Sequence, residues 1–185
     1  DTRLGAVGKA VVAELARRHE VIEAGHSRGT HRVDVLDSGS IRGLFAEIGK
    51  VDAIVTTTGR LHFGPLAETT PEQFQVGLDD KLMGQIKVVL AAQPYLNDGG
   101  SFTLTSGIVG AEPIREGANA TTVNAAIEGF VRAAAIELPR GLRINAVSPT
   151  VLTESLPAYG PYFRGFESAP AQRVALAYSR SVEGA

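Results

Sequence analysis

Residues 117–149 read GANATTVNAAIEGFVRAAAIELPRGLRINAVSP and carry the most information about the fold of this chain. Their first two thirds predict one long helix over 118–138, and the short apolar run at 143–147 predicts a strand. The same alternation of helical patterns with β-rich runs continues on both sides of this segment. Such alternation is typical of a parallel sheet covered by helices on both faces, so the sequence predicts a three-layer α/β/α domain.

The other elements follow from periodicity and from turn residues. Strands are predicted at 20–25, 31–35, 51–56 and 101–106. Helices are predicted at 8–19, 40–48, 171–178 and from Thr70 to about Pro94. The long third helix has a strong start signal, because Thr70 can cap it, Pro71 occupies its first position and Gln73 completes a capping box.

Bulk composition excludes several classes of protein. The 185 residues are 44% hydrophobic and 21% charged, as in an ordinary globular domain, and the net charge of −2 offers no basic face for nucleic acid. No apolar run is long enough to cross a membrane, and the N-terminal residues do not form a signal peptide. The chain has no cysteine, which fits a reducing, cytoplasmic location, and we expect no partner of either excluded class. Four scattered histidines show no metal-ligand spacing, so no metal site is predicted; they are His19, His26, His31 and His62.

The long helix and the strand that follows it closely resemble the catalytic helix and next strand of the short-chain dehydrogenase/reductase family. The segment RINAVSP at 143–149 is the most specific match, and the resemblance covers about residues 2–185. It implies a single Rossmann-type, doubly wound domain over 1–185 that binds a nicotinamide dinucleotide. It also implies a homo-dimer or homo-tetramer joined through the helices near 80–94 and 118–138. By the same comparison, the first and last strands of the fold are expected to be missing from this chain.

The glycine-rich turn that holds the cofactor pyrophosphate in this family matches only in part. Gly5 and Gly8 fit the spacing G-x-x-G-x-x-G, and Thr2 stands where the first glycine is expected. Glycines serve there because the backbone must approach the phosphates at a helix N-terminus. Two glycines three residues apart also occur in ordinary helix-opening turns, so the downstream resemblance is needed to favour a cofactor site.

Residues that would face the adenosine end of the cofactor lie in the loops after three predicted strands. The loop after residue 25 contains no acidic residue for a ribose hydroxyl, whereas Ser27 and Arg28 suit a 2′-phosphate, which favours NADP over NAD. An exposed loop arginine is the competing interpretation. By resemblance, Asp34 would bind adenine, and Thr58 and Gly59 would line the adenine ribose.

The four catalytic positions implied by the family are Asn, Ser, Tyr and Lys, and this chain departs from three of them. Ser106 matches the serine, Lys81 falls on the Asn position, and Ala120 and Asn124 fall on the Tyr and Lys positions. In the family, tyrosine exchanges the proton, and a lysine four residues later lowers the tyrosine pKa and binds the nicotinamide ribose. Positions i and i+4 share one helix face, so the pair acts together. Alanine supplies neither function, and Asn124 retains only hydrogen bonding.

Three interpretations remain open at this point. The protein is an oxidoreductase on an unknown carbonyl or alcohol with relocated acid–base groups, for which Lys81, Tyr159 and Tyr162 are the candidates. Alternatively, it binds NADP(H) without turnover as a sensor or regulatory protein, or it is a scaffold whose site is a relic.

Residues near the nicotinamide end complete the predicted site. Pro149 and Val151 match the turn that contacts the carboxamide, although Thr150 replaces the family's glycine. Glu154 replaces a threonine and would bring a carboxylate near the pyrophosphate, which is unfavourable unless it is paired. The Gly-, Pro- and aromatic-rich segment 153–166 is predicted to be a mobile lid over the substrate.

Two loops could also border the substrate. His62 and Phe63 follow Gly59, and Arg115 and Glu116 precede the long helix. An exposed, purely structural role is the competing interpretation for each of these pairs.

Overall fold

The computed structural model describes residues 5–27 and 29–184. Within these ranges five strands alternate with helices, and every paired strand runs parallel to its neighbour. The strands are β1 (Ala24–Gly25), β2 (His31–Arg32), β3 (Val51–Val55), β4 (Leu96–Thr105) and β5 (Arg143–Val147). The α-helices are α1 (Ala6–Leu15), α2 (Ser38–Ile48), α3 (Pro71–Gly77), α4 (Gly84–Ala92), α5 (Ala118–Glu137), α6 (Leu156–Tyr159) and α7 (Ala171–Glu183).

The strands form two parallel sheets rather than the single sheet that the sequence predicts. β1 pairs with β2, and β3, β4 and β5 form a second sheet in that order. Of the predicted strands 20–25 and 31–35, only two residues each are paired. The α2 and α4 helices connect the two sheets, because α2 contacts both β2 and α4. Val35, just after β2, packs against the start of α4, where a Cβ on Gly84 would lie 3.0 Å from its side chain.

Helices cover both faces of the larger sheet, which confirms the predicted three-layer architecture. β4 shows why: successive side chains of a strand point to opposite faces. Phe102 and Leu104 pack into the core beneath α2, α4 and α5. Thr103 and Thr105 face α7, where their hydroxyls hydrogen-bond Ser181 Oγ and the Tyr178 hydroxyl, each at 2.6 Å.

The second core lies on the α7 side of the sheet. Val11 and Leu15 of α1 pack there against Val174, Ala175 and Tyr178 of α7. The α1 and α7 helices therefore bury their apolar faces against each other and against the ends of β3 and β5, as an amphipathic helix requires.

The long helix predicted from Thr70 divides into three consecutive elements. Its start is confirmed: Thr70 Oγ1 accepts from Gln73 N at 3.2 Å, Gln73 Oε1 accepts from Thr70 N at 2.9 Å, and Pro71 occupies the first position. Between α3 and α4 the residues Leu78–Met83 form a π-helical segment. Such segments are rare and frequently mark functional sites.

The predicted lid contains three short helical elements: Thr153–Ser155, α6 and Gly160–Tyr162. None of the helices in the described part of the chain is long and apolar enough to cross a membrane.

Candidate functional site

Most of the predicted site residues lie at one edge of the domain. The strands are parallel, so the loops that follow them leave from the same edge, where ligands bind in open α/β sheets. Ser27 follows β1, Asp34 follows β2, Gly59 follows β3, Ser106 follows β4 and Pro149 follows β5.

Lys81 and Asn124 form the centre of this edge. Lys81 lies in the π-helical segment and Asn124 lies in the first half of α5, and both are buried, with exposures of 8% and 1%. The Lys81 Nζ donates to Asn124 Oδ1 at 2.7 Å and to the main-chain oxygen of Ser106 at 3.0 Å. The two side chains singled out by their departure from the family pattern are thus in direct contact.

The ammonium group of Lys81 has no carboxylate partner among the described residues. Asp80 accepts from Arg60 N and Nε at 3.0 and 2.8 Å, and Glu128 accepts from the Ser106 hydroxyl at 3.0 Å. Burial without a counter-charge disfavours the charged form and lowers the pKa of Lys81 from 10.5 to about 8. Lys81 can therefore gain and lose a proton near neutral to mildly alkaline pH.

Three glycines make room for this pair. Gly59 has a φ of +141°, and a Cβ there would lie 2.5 Å from Lys81 Cβ and 2.8 Å from Lys81 Cα. A Cβ on Gly107 would lie 3.1 Å from Asn124 Nδ2, and one on Gly110 would lie 3.1 Å from Asn124 Cβ. Gly59 is therefore required at its position both by backbone conformation and by the approach of Lys81.

Gln85, which the sequence analysis missed, anchors the main chain of this region. Its Nε2 donates to the carbonyl oxygens of Lys81 and Thr105, and its Oε1 accepts from Thr105 N and from the Thr56 hydroxyl. Every hydrogen-bonding atom of this buried amide has a partner, and the network ties the π-helical segment to the ends of β3 and β4. A glutamine within the apolar run of α4 is the sequence signal that could have indicated it.

The hydroxyl of Ser106 faces α5 and not the Lys81–Asn124 pair. Alternate residues of a strand point to the same face, so Ser106 shares the face of Phe102 and Leu104. Its hydroxyl donates to Glu128 on α5 and lies 3.5 Å from the main-chain oxygen of Val147. Ser106 contributes to the Lys81 environment through its carbonyl oxygen instead. The next residue, Gly107, is the one whose Cβ direction faces Asn124.

The candidate tyrosines lie at the rim of the site. Tyr159 packs its ring against Phe63, with ring centroids 5.9 Å apart, and both Tyr159 and Tyr162 are exposed. Within the described ranges, neither hydroxyl forms a hydrogen bond with Lys81, and Ala120 is fully buried. Of the three relocated acid–base candidates, only Lys81 contacts Asn124.

Asn119, also missed from the sequence, joins three parts of the site wall. Its Oδ1 accepts from His62 N at 3.0 Å, and its Nδ2 donates to the Phe74 carbonyl at 2.6 Å. A Cβ on Gly77 would collide with this side chain. The His62–Phe63 loop is therefore held against the first turn of α5, next to Ala120.

The glycine-rich turn differs in detail from its prediction. Helix α1 begins at Ala6, so Gly5 is its N-cap and Gly8 is buried inside its first turns rather than in the preceding loop. Among residues 5–27 and 29–184, no side chain caps this N-terminus, its first turn has no acidic residue, and no atom lies within 4 Å of a Cβ built on Gly5. As far as these residues show, the first N–H groups of α1 have no side-chain partner, which suits a phosphate.

At the adenosine end, Ser27 is half-buried and Arg28 lies outside the described residues. Asp34 Oδ1 accepts from Leu36 N at 2.9 Å, while its Oδ2 lies 4.0 Å from His26 Nε2. Thr58 is exposed beside Gly59. One oxygen of Asp34 thus stabilises its own turn, and the other lies near the exposed His26 side chain.

At the nicotinamide end, main-chain hydrogen bonds shape the turn after β5. Pro149 O accepts from Ile108 N at 2.9 Å, and Val151 is buried, with its carbonyl accepting from Ala169 N at 3.1 Å. The carboxylate of Glu154 accepts from Ala171 N at 3.0 and 3.2 Å, at the N-terminus of α7. The helix dipole and this N–H group therefore stabilise the charge that the sequence placed near a pyrophosphate.

The charged loop before α5 makes no ion pair in the described structure. Arg115 and Glu116 are both exposed, and Glu116 has a positive φ of 61°.

Comparisons with known proteins agree with this architecture. A family model described as enoyl-(acyl carrier protein) reductase matches residues 6–181. Hydroxynaphthalene reductase arp2 of Aspergillus fumigatus is 30% identical over 167 residues, covering 77% of this chain and 61% of that protein. Versicolorin reductase 1 of Aspergillus parasiticus is 30% identical over 160 residues, covering 79% of this chain and 61% of that protein. The chain spans about three fifths of the length of these curated relatives.

Solved structures show the same fold. The protein lin1944 from Listeria innocua superposes with a TM-score of 0.95 at 49% identity, over 98% of this chain and 90% of that one. A small-chain dehydrogenase crystallised with NADPH superposes with a TM-score of 0.79 at 24% identity, over 94% and 84% of the two chains. With the family model matching nearly the whole sequence, the Rossmann-type α/β chain described here belongs to the short-chain dehydrogenase/reductase family.

Proposed function

We propose that this protein is an NADP(H)-dependent oxidoreductase that interconverts a carbonyl and an alcohol, with the Lys81 ammonium as its proton donor. The contact between Lys81 Nζ and Asn124 Oδ1 at 2.7 Å carries the proposal. An ionisable group with a pKa of about 8, at the edge of the sheet where we expect the nicotinamide cofactor, supports the proposal. A general acid works best when its pKa lies near the working pH, and Lys81 meets this condition without a tyrosine.

The residues present fit a dinucleotide. The N-terminus of α1, which no described side chain caps, suits the pyrophosphate, and we expect the turn at Pro149–Val151 to border the nicotinamide. The amide Nδ2 of Asn124 has no acceptor among the described residues and suits a ribose oxygen. When bound, the reduced cofactor supplies a hydride to the carbonyl carbon.

The chain's own residues then manage the proton. The Lys81 ammonium donates a proton to the substrate oxygen as that oxygen gains negative charge, and the neutral amine regains a proton from solvent. Asn124 Oδ1 and the Ser106 carbonyl hold the nitrogen in place during both steps. The oxidation of an alcohol uses the same groups in reverse.

A sensor that binds NADP(H) without turnover is the second candidate. The observation that favours it is the Ser106 hydroxyl, which is committed to Glu128, together with the fully buried Ala120. On this alternative, Lys81 contributes to cofactor binding alone.

Titration calorimetry of NADPH and NADH into the full-length protein, followed by NADPH consumption across a panel of aldehydes and ketones, tests the proposal. We expect NADPH to bind, at least one carbonyl to be reduced, and Lys81→Met to abolish reduction while NADPH still binds. Binding without reduction of any carbonyl would favour the sensor. Failure of both nucleotides to bind would refute both candidates and leave a scaffold.

The preference for NADP over NAD rests on Ser27 and Arg28 in the loop after β1. We expect Arg28→Ala to weaken NADPH binding while leaving NADH binding unchanged. Arg115→Ala is a suitable control, since it removes an exposed loop arginine elsewhere. Equal losses for the two nucleotides would argue against a 2′-phosphate contact.

Self-association through α4 and α5 is part of the same proposal. Leu90 on α4 is 59% exposed and Ile136 on α5 is 87% exposed, and apolar side chains in such positions favour burial against a second copy. Light scattering after gel filtration should give the mass of a dimer or tetramer, and Leu90→Glu or Ile136→Glu should reduce it. A monomeric mass for the unmodified protein would contradict this part of the proposal.

A further inference from the structure

The Lys81 ammonium group has one side-chain acceptor and one main-chain acceptor. An ammonium group has three N–H donors, and Lys81 uses one on Asn124 Oδ1 and one on the Ser106 carbonyl oxygen. Both acceptors are neutral. Asn124 is the only side chain, among the described residues, that accepts from Nζ. Its side chain therefore determines where the remaining N–H of Lys81 points.

The charged side chains near Lys81 are engaged elsewhere. Asp80 binds Arg60, whose side chain is 72% exposed, and Glu128 accepts from the Ser106 hydroxyl. Neither carboxylate accepts a hydrogen bond from Lys81 Nζ in the described structure. Asn124 is therefore the side chain that determines the direction of Nζ and helps to stabilise its charge.

We propose that Asn124 is a positioning residue for Lys81, and that the two side chains form one cation–amide unit that works in either order across the two helices. Exchanging the residues keeps the total side-chain volume, the charge and the amide–ammonium hydrogen bond, the conditions under which buried substitutions are tolerated best. Gly107 and Gly110 lie directly against Asn124, as Gly59 lies against Lys81, so the absence of a Cβ at these glycines is what lets both side chains of the unit fit. The exchanged order is also the one that the family resemblance implies, with asparagine at position 81 and lysine at position 124.

The positioning role is tested by the pKa of Lys81, followed by NMR in protein with isotope-labelled lysine and assigned with Lys81→Met. Asn124→Leu removes the acceptor, so we expect the pKa of Lys81 to fall. Asn124→Asp adds a counter-charge, so we expect it to rise. Asn119→Leu is the matched control, because Asn119 is a buried asparagine of the same helix that does not contact Lys81. An unchanged pKa in both Asn124 variants, or an equal change in the control, would overturn the proposal.

The exchange is tested by a double-mutant cycle of Lys81→Asn, Asn124→Lys and the two together. Lys81→Asn removes the cation and shortens the donor side chain, while Asn124→Lys brings two ammonium groups together. We expect Asn124→Lys alone to lower the melting temperature by about 4 °C or more, and the double variant to recover most of that loss. Lys81→Asn alone should lower it less, because it also removes the cost of the buried charge. A change in melting temperature of the double variant equal to the sum of the two single changes would refute the cation–amide unit.

The same variants allow a binding measurement that rests on the proposed function. Each single variant should bind NADPH about tenfold more weakly, the scale of one charge-assisted hydrogen bond, and the double variant should return to within about threefold of the unmodified protein. If the unmodified protein itself fails to bind NADPH, the proposed function fails, while the pKa and melting measurements still decide this inference. Binding that stays weak in a well-folded double variant would contradict the exchange.

Discussion

Replacing Lys81 by methionine should remove a dependence of stability on alkaline pH that this one residue creates. Lys81 is buried with no carboxylate partner in the part of the chain that the structure describes, and its pKa is lowered from 10.5 to about 8. The difference corresponds to about 3 kcal/mol of destabilisation whenever the folded protein must keep the ammonium charged. Methionine has a similar length and no charge, so Lys81→Met removes this cost.

The sign follows from which state holds the proton. Below pH 8 both the folded protein and the unfolded chain keep Lys81 charged, so the full cost of burial is present. Between pH 8 and 10.5 the folded protein has released the proton while the unfolded chain still binds it. The contribution of Lys81 therefore becomes more favourable by about 1.4 kcal/mol for each pH unit in this window. Above the window it is constant again.

Urea unfolding of both proteins from pH 7 to pH 10 measures this effect. The difference in unfolding free energy between the two proteins is the quantity to follow, because other titrating groups contribute equally to both. Lys81→Met also leaves the Asn124 and Ser106 oxygens without a donor, at about 1–2 kcal/mol each, which shifts the difference by a constant. The test therefore depends on how the difference in unfolding free energy changes with pH, and not on its absolute value.

Lys50→Met is the matched control, since Lys50 is exposed in the turn between α2 and β3. Its difference from the unmodified protein should stay flat across the same range. A flat difference for Lys81→Met as well would refute the assignment of a buried, uncompensated ammonium at this position.

Three further substitutions test the architecture around the site by chemical denaturation. Gly59→Ala should destabilise the protein by about 3–5 kcal/mol, because the added Cβ meets Lys81 and the backbone has a positive φ; a loss below about 1 kcal/mol would contradict that geometry. Tyr178→Phe should cost about 1–2 kcal/mol by removing the hydrogen bond to Thr105, and an unchanged stability would show that the bond contributes nothing. Glu154→Ala should cost about 1 kcal/mol by removing the carboxylate that accepts from Ala171 N at the start of α7, and an unchanged stability would show that this contact contributes nothing.

Local sequence rules predicted most helices and the identity of the strands. The capping box at Thr70 and the apolar period of α5 are local signals, since they depend on residues within a few positions of one another. They therefore survived in the structure with boundaries close to those predicted. The strands 20–25 and 31–35 shrank to two residues each, because pairing depends on the neighbouring strand and not on the run itself.

The candidate site was predictable in its members and not in their directions. The departures from the family pattern singled out Lys81 and Asn124 from sequence alone. The role expected for Ser106 is not supported by the direction of its hydroxyl, because strand parity turns that hydroxyl toward Glu128. Gln85 and Asn119 were missed, because the role of a helical amide side chain depends on its hydrogen-bond partners, and most of these lie in other elements of the fold.

The sequence by itself determined the fold class and the resemblance to a dinucleotide-binding family, because residue identity and local spacing carry these. That Ala120 and Asn124 stand at the family's tyrosine and lysine positions is a prediction from the same resemblance. Only the tertiary structure decided that Lys81 and Asn124 touch, since 43 positions separate them along the chain. The π-helical segment and α5 are brought together by the packing of the whole sheet against its helices, which no local pattern encodes. The same packing buries Nζ away from every carboxylate of the described residues, and this burial lowers the pKa of Lys81 to about 8.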